Sequence, residues 1–129
     1  MSEPLTLTIY GEPRSKKNSM QIVKIGNSHR LIQSKNYRDY EQYASWQIAE
    51  ADAVYHVDYL VNIKYTFYRS TKRRVDLSNL IAAADDILVH AGVLEDDNWK
   101  IVGGHDGSRI RFDPAAPRTE IEITRMTDV

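Results

Sequence analysis

The segment Lys72–Val102, KRRVDLSNLIAAADDILVHAGVLEDDNWKIV, organises the rest of the 129-residue chain. It opens with three cations and continues from Leu77 to Ala91 as a run with apolar residues at helical spacing. Gly92 follows that run and is typical of a helix end. The segment therefore predicts a helix that follows a basic run and precedes an acidic turn and a short strand.

The predicted helix has an apolar stripe and a polar face. Asp76 or Ser78 is the expected N-cap. The apolar stripe contains Leu80, Ala84, Ile87, Leu88 and Ala91. The other side contains Asn79, Ala82, Ala83, Asp86 and His90. Asn79 and Asp86 lie two turns apart on one face, and the small alanines between them leave room for a ligand.

The remaining sequence predicts a second helix and several strands. The predicted helix is Lys35–Ala51, with Ser34 as its N-cap. The predicted strands are Leu5–Tyr10, a hairpin of Met20–Ile25 and Arg30–Gln33 around Gly26-Asn27, Val57–Tyr68, Trp99–Val102, His105–Phe112 after a break at Gly103-Gly104, and Thr119–Thr124. We expect a single small α+β (mixed α/β) domain over residues 1–129, with helices packed on a mixed sheet.

Aromatic residues on the first helix have two interpretations. Tyr40, Tyr43, Ala44 and Gln47 recur at helical spacing, and Trp46 and Ile48 add bulk. Such a stripe favours packing in the core or contacts in a homodimer over a platform for stacking bases.

The composition is that of an ordinary globular domain, with 42% hydrophobic and 27% charged residues. The absence of cysteine excludes disulfides, thiolate metal sites and cysteine nucleophiles. No apolar run approaches the roughly 20 residues of a membrane helix, and the N-terminus lacks a signal-peptide layout, so a cytoplasmic location is expected. The formal net charge is −1, so nucleic-acid binding would need a local basic patch.

Two groups of cations supply candidate phosphate contacts. The first is Lys72, Arg73 and Arg74, directly before the second helix. The second is Arg14, Lys16 and Lys17 in the loop GEPRSKKNS, which taken alone favours a solvated basic turn. The four histidines have no metal-binding spacing, and neither a phosphate-binding loop nor a dinucleotide motif is present.

Crowded carboxylates next to these cations suggest a site for a hard divalent cation beside a polyanion. The candidate ligands are Asp76, Asp86, Asp96 and Asp97, and Asn79 offers an amide oxygen. Oxygen donors suit Mg²⁺ or Mn²⁺ rather than zinc. Asp76 and Asp97 lie at opposite ends of the helix unless the following loop folds back. The alternative to a metal site is a solvated helix with acidic caps.

These motifs resemble those of the RusA-type Holliday junction resolvases, crossover junction endodeoxyribonucleases that are common in prophages. The resemblance lies in KRR-x-DLSNL, in the helix ending in AG and in LEDD before a strand, and P-x-S-K-K-N-S is similar to the family's opening. It implies an α/β homodimer that depends on Mg²⁺, with Mn²⁺ as a possible substitute. It also implies symmetric nicking of four-way DNA junctions.

The resemblance extends to individual positions. Asp76 matches the first essential aspartate, Asp97 the aspartate of the downstream pair, Asn79 the asparagine and Asp86 the aspartate of the helix. Two positions depart from the pattern, since Ser78 replaces a second catalytic aspartate and Ala82 replaces a lysine. Either Asp86 or Asp85 supplies the missing ligand, or the protein binds branched DNA with weak or no cleavage. A small interaction domain with an acidic rim is the third hypothesis.

Overall fold

A computed structural model describes residues 3–16 and 20–127 of the protein. Its elements, in chain order, are β1 Leu5–Tyr10, β2 Met20–Ile25, β3 Ser28–Gln33, α1 Lys35–Glu50, β4 Val61–Arg69, α2 Leu77–His90, β5 Val102–Gly104, β6 Arg109–Phe112 and β7 Arg118–Arg125. The two helices and the mixed sheet confirm the predicted α+β class.

The main sheet places several strand ends at one edge. Its strands follow the order β1-β7-β4-β5, β6 also pairs with β4, and β2 and β3 form a separate hairpin. Because β1 and β4 both run antiparallel to β7, they run parallel to each other. β6 is also parallel to β4. The carboxyl ends of β1, β4 and β6 therefore meet at the same edge, where ligands commonly bind in open sheets.

The core lies between the sheet and the two helices. Val61, Ile63, Tyr65 and Phe67 alternate along β4 as buried residues, as the period of two predicts. Each fully buried side chain of this size contributes roughly 1.5–3 kcal/mol relative to exposure. The principal partners from the other elements are Leu7, Ile9, Ala44, Ile48, Leu80, Ile87, Leu88, Ile121 and Ile123.

The two helices begin differently. Ser34 is the N-cap of α1, as predicted, and its hydroxyl accepts a hydrogen bond from the Tyr37 amide at 3.2 Å. Asp76 occupies the N-cap position of α2, but its carboxylate makes no capping hydrogen bond. The sequence rule for caps therefore places Asp76 correctly without explaining the use of its side chain.

Three strand predictions need correction. β4 begins at Val61 rather than Val57, because the chain passes through a positive φ of 51° at His56 and Val57 forms only an isolated bridge with Leu94. The predicted strand Trp99–Val102 is wrong over 99–101, where the amides of Ile101 and Val102 both donate to the Asn98 carbonyl and form a turn. Gly103 and Gly104 lie within β5, and the break falls at 105–108 instead.

The core interpretation of the α1 aromatic residues is wrong for two of them. Tyr43 and Trp46 are 47% and 58% exposed, and their rings stack with centroids 6.2 Å apart. The buried face of α1 contains Tyr37, Ala44 and Ile48, and Trp46 lies two positions from Ala44, on the far side of the helix. On α2, Ala83 is buried rather than on the polar side, because it packs inward beside Leu80 and Ile87.

Candidate functional site

A cleft of about 750 Å³ opens at the edge where β1 and β4 end. It is lined by residues 12–15, 69–71, 73–76 and Asn79. Four arginines contribute to this lining, and they are Arg14, Arg69, Arg73 and Arg74. The cleft is therefore cationic in a chain with almost no net charge, which is the local patch that binding a polyanion requires.

Glu12 and Arg69 hold the walls of the cleft together. Glu12 Oε2 accepts a hydrogen bond from the Ser70 amide at 3.1 Å, and Glu12 Oε1 lies 3.8 Å from Arg69 Nε. Arg69 Nη1 donates to the Arg73 carbonyl at 2.7 Å. These contacts fix the loop before α2 against the loop after β1. Neither residue is among the site residues predicted from the sequence, although both lie close to the end of a strand, which is a signal for such a role.

Asp76 lies at the cleft with an exposed carboxylate. Its Oδ2 accepts a hydrogen bond from Asn79 Nδ2 at 3.3 Å. Within residues 3–16 and 20–127, no salt bridge joins Asp76 to the arginines of the cleft. The carboxylate therefore keeps oxygen lone pairs for an incoming ligand while Asn79 fixes its orientation.

A second group of carboxylates forms farther along α2. Asp86 Oδ2 lies 2.8 Å from Lys16 Nζ. Partial burial raises the pKa of Asp97, and the negative charges of Asp86 and Asp85 raise it further. The loop after α2 therefore brings Asp97 within electrostatic range of Asp85 and Asp86.

Asp96 supports this turn. Its Oδ1 accepts from the Asp97 amide at 2.7 Å, and its Oδ2 accepts from Asn98 Nδ2 at 3.1 Å. Asp76 remains apart from Asp86, because the ten residue steps of α-helix from one to the other correspond to about 15 Å of rise. The structure thus groups the predicted residues as Asp76 with Asn79, and as Asp86 with Asp97 and Asp96.

The donors of both groups fit a hard divalent cation. Among the residues that the structure describes, no cluster of three or more His, Cys, Asp or Glu side chains is arranged to hold a metal ion. Mg²⁺, however, usually takes one or two carboxylates and completes its shell with water and substrate phosphate. Asp76 with Asn79, and Asp86 with Asp97, offer oxygen donors of that kind and number. Like-charge crowding at Asp97 also favours a nearby cation.

Asp85 has a different role from its neighbour Asp86. It is 7% exposed, and its Oδ1 accepts a hydrogen bond from the Tyr65 hydroxyl at 2.6 Å. His105 Nε2 lies 2.8 Å from the other oxygen. Burial raises the pKa of Tyr65 well above its usual value, so the hydroxyl remains a donor. Both oxygens of Asp85 are engaged, which leaves Asp86 as the better placed substitute for a missing ligand.

The predicted cations have separate partners. Arg14, Arg73 and Arg74 line the cleft, Lys16 pairs with Asp86, and Lys72 Nζ lies 5.0 Å from the ring centroid of Phe112. Lys17 lies outside the described residues. Ser78 and Ala82, which depart from the family pattern, are both exposed on α2.

The fold and the cleft define a class of protein that has a cationic surface suited to phosphodiesters. Carboxylate and amide oxygens that could bind a metal ion lie beside that surface. A family model described as endodeoxyribonuclease RusA matches residues 10–124. The chain therefore belongs to the RusA family of endodeoxyribonucleases, which are Holliday junction resolvases, and this confirms the resemblance found in the sequence. The match includes the cleft and both groups of carboxylates. A comparison with curated proteins gives no match.

None of the helices within residues 3–16 and 20–127 has the length and apolar character needed to span a membrane.

Proposed function

We propose that the protein is a Mg²⁺-dependent endodeoxyribonuclease that resolves Holliday junctions and related branched DNA by paired symmetric nicks. The observation that carries this proposal is the arginine-lined cleft with Asp76 at its wall. The Asp76 carboxylate makes no capping hydrogen bond to the backbone at the start of α2. Family membership supplies the class of reaction. The cleft supplies a place where a phosphate and a metal ligand come together.

The arrangement of the cations supports a path for the DNA backbone through the cleft. Arg14, Arg73 and Arg74 face one cleft from two loops, so a strand that enters it meets positive charge on both sides. Contacts of this kind position a nucleic acid without reading its sequence. Lys16 and Lys72 extend the proposed contacts along the same two loops, and Lys17, which lies outside the described residues, is included in the proposal from its sequence alone.

The proposed metal ligands fall into the two groups described above, which are Asp76 with Asn79 as an amide donor, and Asp86 with Asp96 and Asp97. When bound, Mg²⁺ would activate a water and offset charge that develops on the attacked phosphate. Asn79 holds the Asp76 carboxylate in place by its hydrogen bond at 3.3 Å. Asp96 positions Asp97 through their shared turn. Lys16 Nζ lies 2.8 Å from Asp86 Oδ2 and offsets part of its negative charge.

A DNA-structure-binding protein with weak or no cleavage is the second candidate. Ser78 places a hydroxyl where the family pattern has a carboxylate, and Lys16 already occupies one oxygen of Asp86. A site with fewer free carboxylates would hold metal less tightly but would keep its arginines. DNA binding would then survive without hydrolysis.

Incubation of purified protein with a mobile four-way junction separates these candidates. The reaction is run with Mg²⁺, with Mn²⁺ and with a chelator, and a linear duplex of the same sequence is the control. Paired nicks that need metal support the resolvase. A stable complex without nicks supports the binding protein, and the absence of any complex at low salt supports a small interaction domain.

A further inference from the structure

β6 ends with a large aromatic side chain at the edge of the cleft. Phe112 is 51% exposed. It pairs in register with Arg69, a residue of the cleft wall. The Asp113 amide donates to the Arg69 carbonyl at 2.8 Å, which fixes the end of β6 against β4. The backbone that carries the ring is therefore held in place, and the ring is not part of the core.

The ring lies on the side of the sheet that α2 covers. Register partners in adjacent strands project to the same face, so Phe112 shares a face with Arg69 and, two residues earlier, with Phe67. α2 lies over this face, because the Tyr65 hydroxyl bonds to Asp85 on that helix. Phe112 thus stands beyond the covered part of the sheet, on the side where α2 and Asp76 begin.

Cations flank the aromatic ring. Lys72 Nζ lies 5.0 Å from its centroid, within cation–π range. Arg73 is exposed and lines the adjoining cleft. A flat apolar surface bordered by positive charge matches a nucleotide, which combines an aromatic base with an anionic phosphate.

We propose that Phe112 and Lys72 form a stacking site for one unpaired nucleobase of branched DNA. This inference rests on the proposed function, and it adds a preference for DNA with unpaired nucleotides beside the cleaved strand. Bases within an intact duplex are already stacked on their neighbours. The ring therefore offers its face to a base that a branch point or a gap has released.

Equilibrium binding to two DNAs tests the site. One is a duplex, and the other is the same duplex with a short single-stranded gap, each measured by fluorescence anisotropy with wild-type protein and the variants. Phe112→Ala should weaken binding to gapped DNA on the order of tenfold to a hundredfold, with duplex binding unchanged. Phe112→Tyr should bind gapped DNA like the wild type. Tyr55→Ala removes another exposed aromatic, before β4 and away from the cleft, and should change neither affinity.

Phe112→Leu separates stacking from simple apolar contact. It keeps an apolar side chain but removes the aromatic face, so it should behave like the alanine variant. Wild-type affinity for gapped DNA in either Phe112→Ala or Phe112→Leu would overturn the stacking site. An equal loss on both DNAs would also overturn it. If the wild type nicks junctions with Mg²⁺ in these cases, the proposed function stands. Wild-type protein that binds neither DNA would overturn the stacking site, and the four-way junction assay would then decide the proposed function separately.

Discussion

At the scale of single residues, neighbouring carboxylates have divided roles. Asp85 is buried and bonded to Tyr65 and His105, whereas Asp86 faces Lys16 at the surface. The sequence shows only two adjacent aspartates, and helix geometry alone turns one of them inward. Whether Asp85 or Asp86 is available to a ligand therefore depends on the hydrogen bond from Tyr65 of β4 to Asp85. Tyr65 lies twenty residues earlier in the chain, so no local sequence pattern indicates this contact.

Asp76→Asn and Asp97→Asn should each abolish cleavage and leave junction binding close to that of the wild type. Each substitution removes a proposed ligand charge, whereas phosphate contacts come from the arginines. Cleavage is measured on labelled junctions at saturating protein, and binding is measured by gel shift in a chelator. Asp58→Asn makes the same chemical change at an exposed position before β4 and should cut normally. Near-normal cleavage by either site variant would refute its assignment.

Tyr65→Phe should destabilise the fold by about 2 kcal/mol, because it removes a 2.6 Å hydrogen bond to a buried carboxylate. Tyr40→Phe is the matched control, since its hydroxyl lies 3.5 Å from Thr119 Oγ1, at the limit of a useful hydrogen bond. Its cost should be less than about 1 kcal/mol. Chemical denaturation measures both free energies of unfolding. Equal losses in the two variants would show that Asp85 does not depend on Tyr65.

At the scale of elements, hydrophobic alternation and helix N-caps predict the bounds of strands and helices correctly where no tertiary contact changes the backbone. β1 and the start of α2 follow the sequence prediction. The start of β4 does not, because hydrophobic alternation continues through Val57 while the backbone turns at His56. Val57 is still buried, through its bridge to Leu94. Hydrophobic alternation indicates which side chains are buried. A buried segment that lacks a ladder of backbone hydrogen bonds to a neighbouring strand is not itself a strand.

The loop between β6 and β7 contains an ion pair whose contribution to stability should be lost in acid. The Arg118 guanidinium bonds to Asp113 and, with the amides of Ala115 and Ala116, holds the pKa of Asp113 below its ordinary value of 3.8. A lowered folded-state pKa gives stability that is present above the unfolded value and lost as pH falls through the folded one. Asp113→Asn should therefore lose less stability than the wild type between neutral and strongly acidic pH.

Thermal unfolding across that pH range measures the difference between the two proteins. Asp58→Asn serves as the control, since it changes an exposed carboxylate that precedes β4. Identical acid sensitivity of Asp113→Asn and the wild type would contradict the role given to the Asp113–Arg118 pair.

At the scale of the whole molecule, the sequence predicted the class of fold but not which candidate residues lie close together. Lys16 and Asp86 are seventy residues apart in the chain and 2.8 Å apart in space. Glu12 and the Ser70 amide meet in the same way across the sheet edge. These contacts follow from β1 and β4 running parallel on either side of β7, and strand order cannot be derived from periodicity.

The cleft as a whole should determine how DNA affinity depends on salt. Arg73→Ala combined with Arg74→Ala should reduce affinity and lower the log–log salt slope by roughly two units, about one for each lost phosphate contact. Arg125→Ala is the control, because that arginine lies at the other end of β7, over the Tyr59 ring. Anisotropy titrations at several salt concentrations give the slopes. An unchanged slope in the double variant would place the DNA elsewhere on the surface.

Symmetric resolution of a junction should require two copies of this chain. A four-way junction has approximate two-fold symmetry, and the proposed site occurs once per chain, so a C₂ homodimer is the simplest way to place two sites. We expect a mass near twice 14.8 kDa by light scattering. The exposed, stacked Tyr43 and Trp46 are the first candidates for the contact, whereas Ile48 is fully buried within one chain.

Trp46→Glu tests that contact directly, because a charge in an apolar interface should shift the protein toward monomers. The variant should then nick one strand of a junction without its symmetric counterpart, as resolved on denaturing gels with each strand labelled in turn. Tyr55→Glu, at another exposed aromatic position, should remain a dimer that nicks in pairs. A wild-type monomer that still makes paired nicks would contradict the requirement for two copies. A Trp46→Glu dimer with normal pairing would leave the requirement intact and move the interface away from α1.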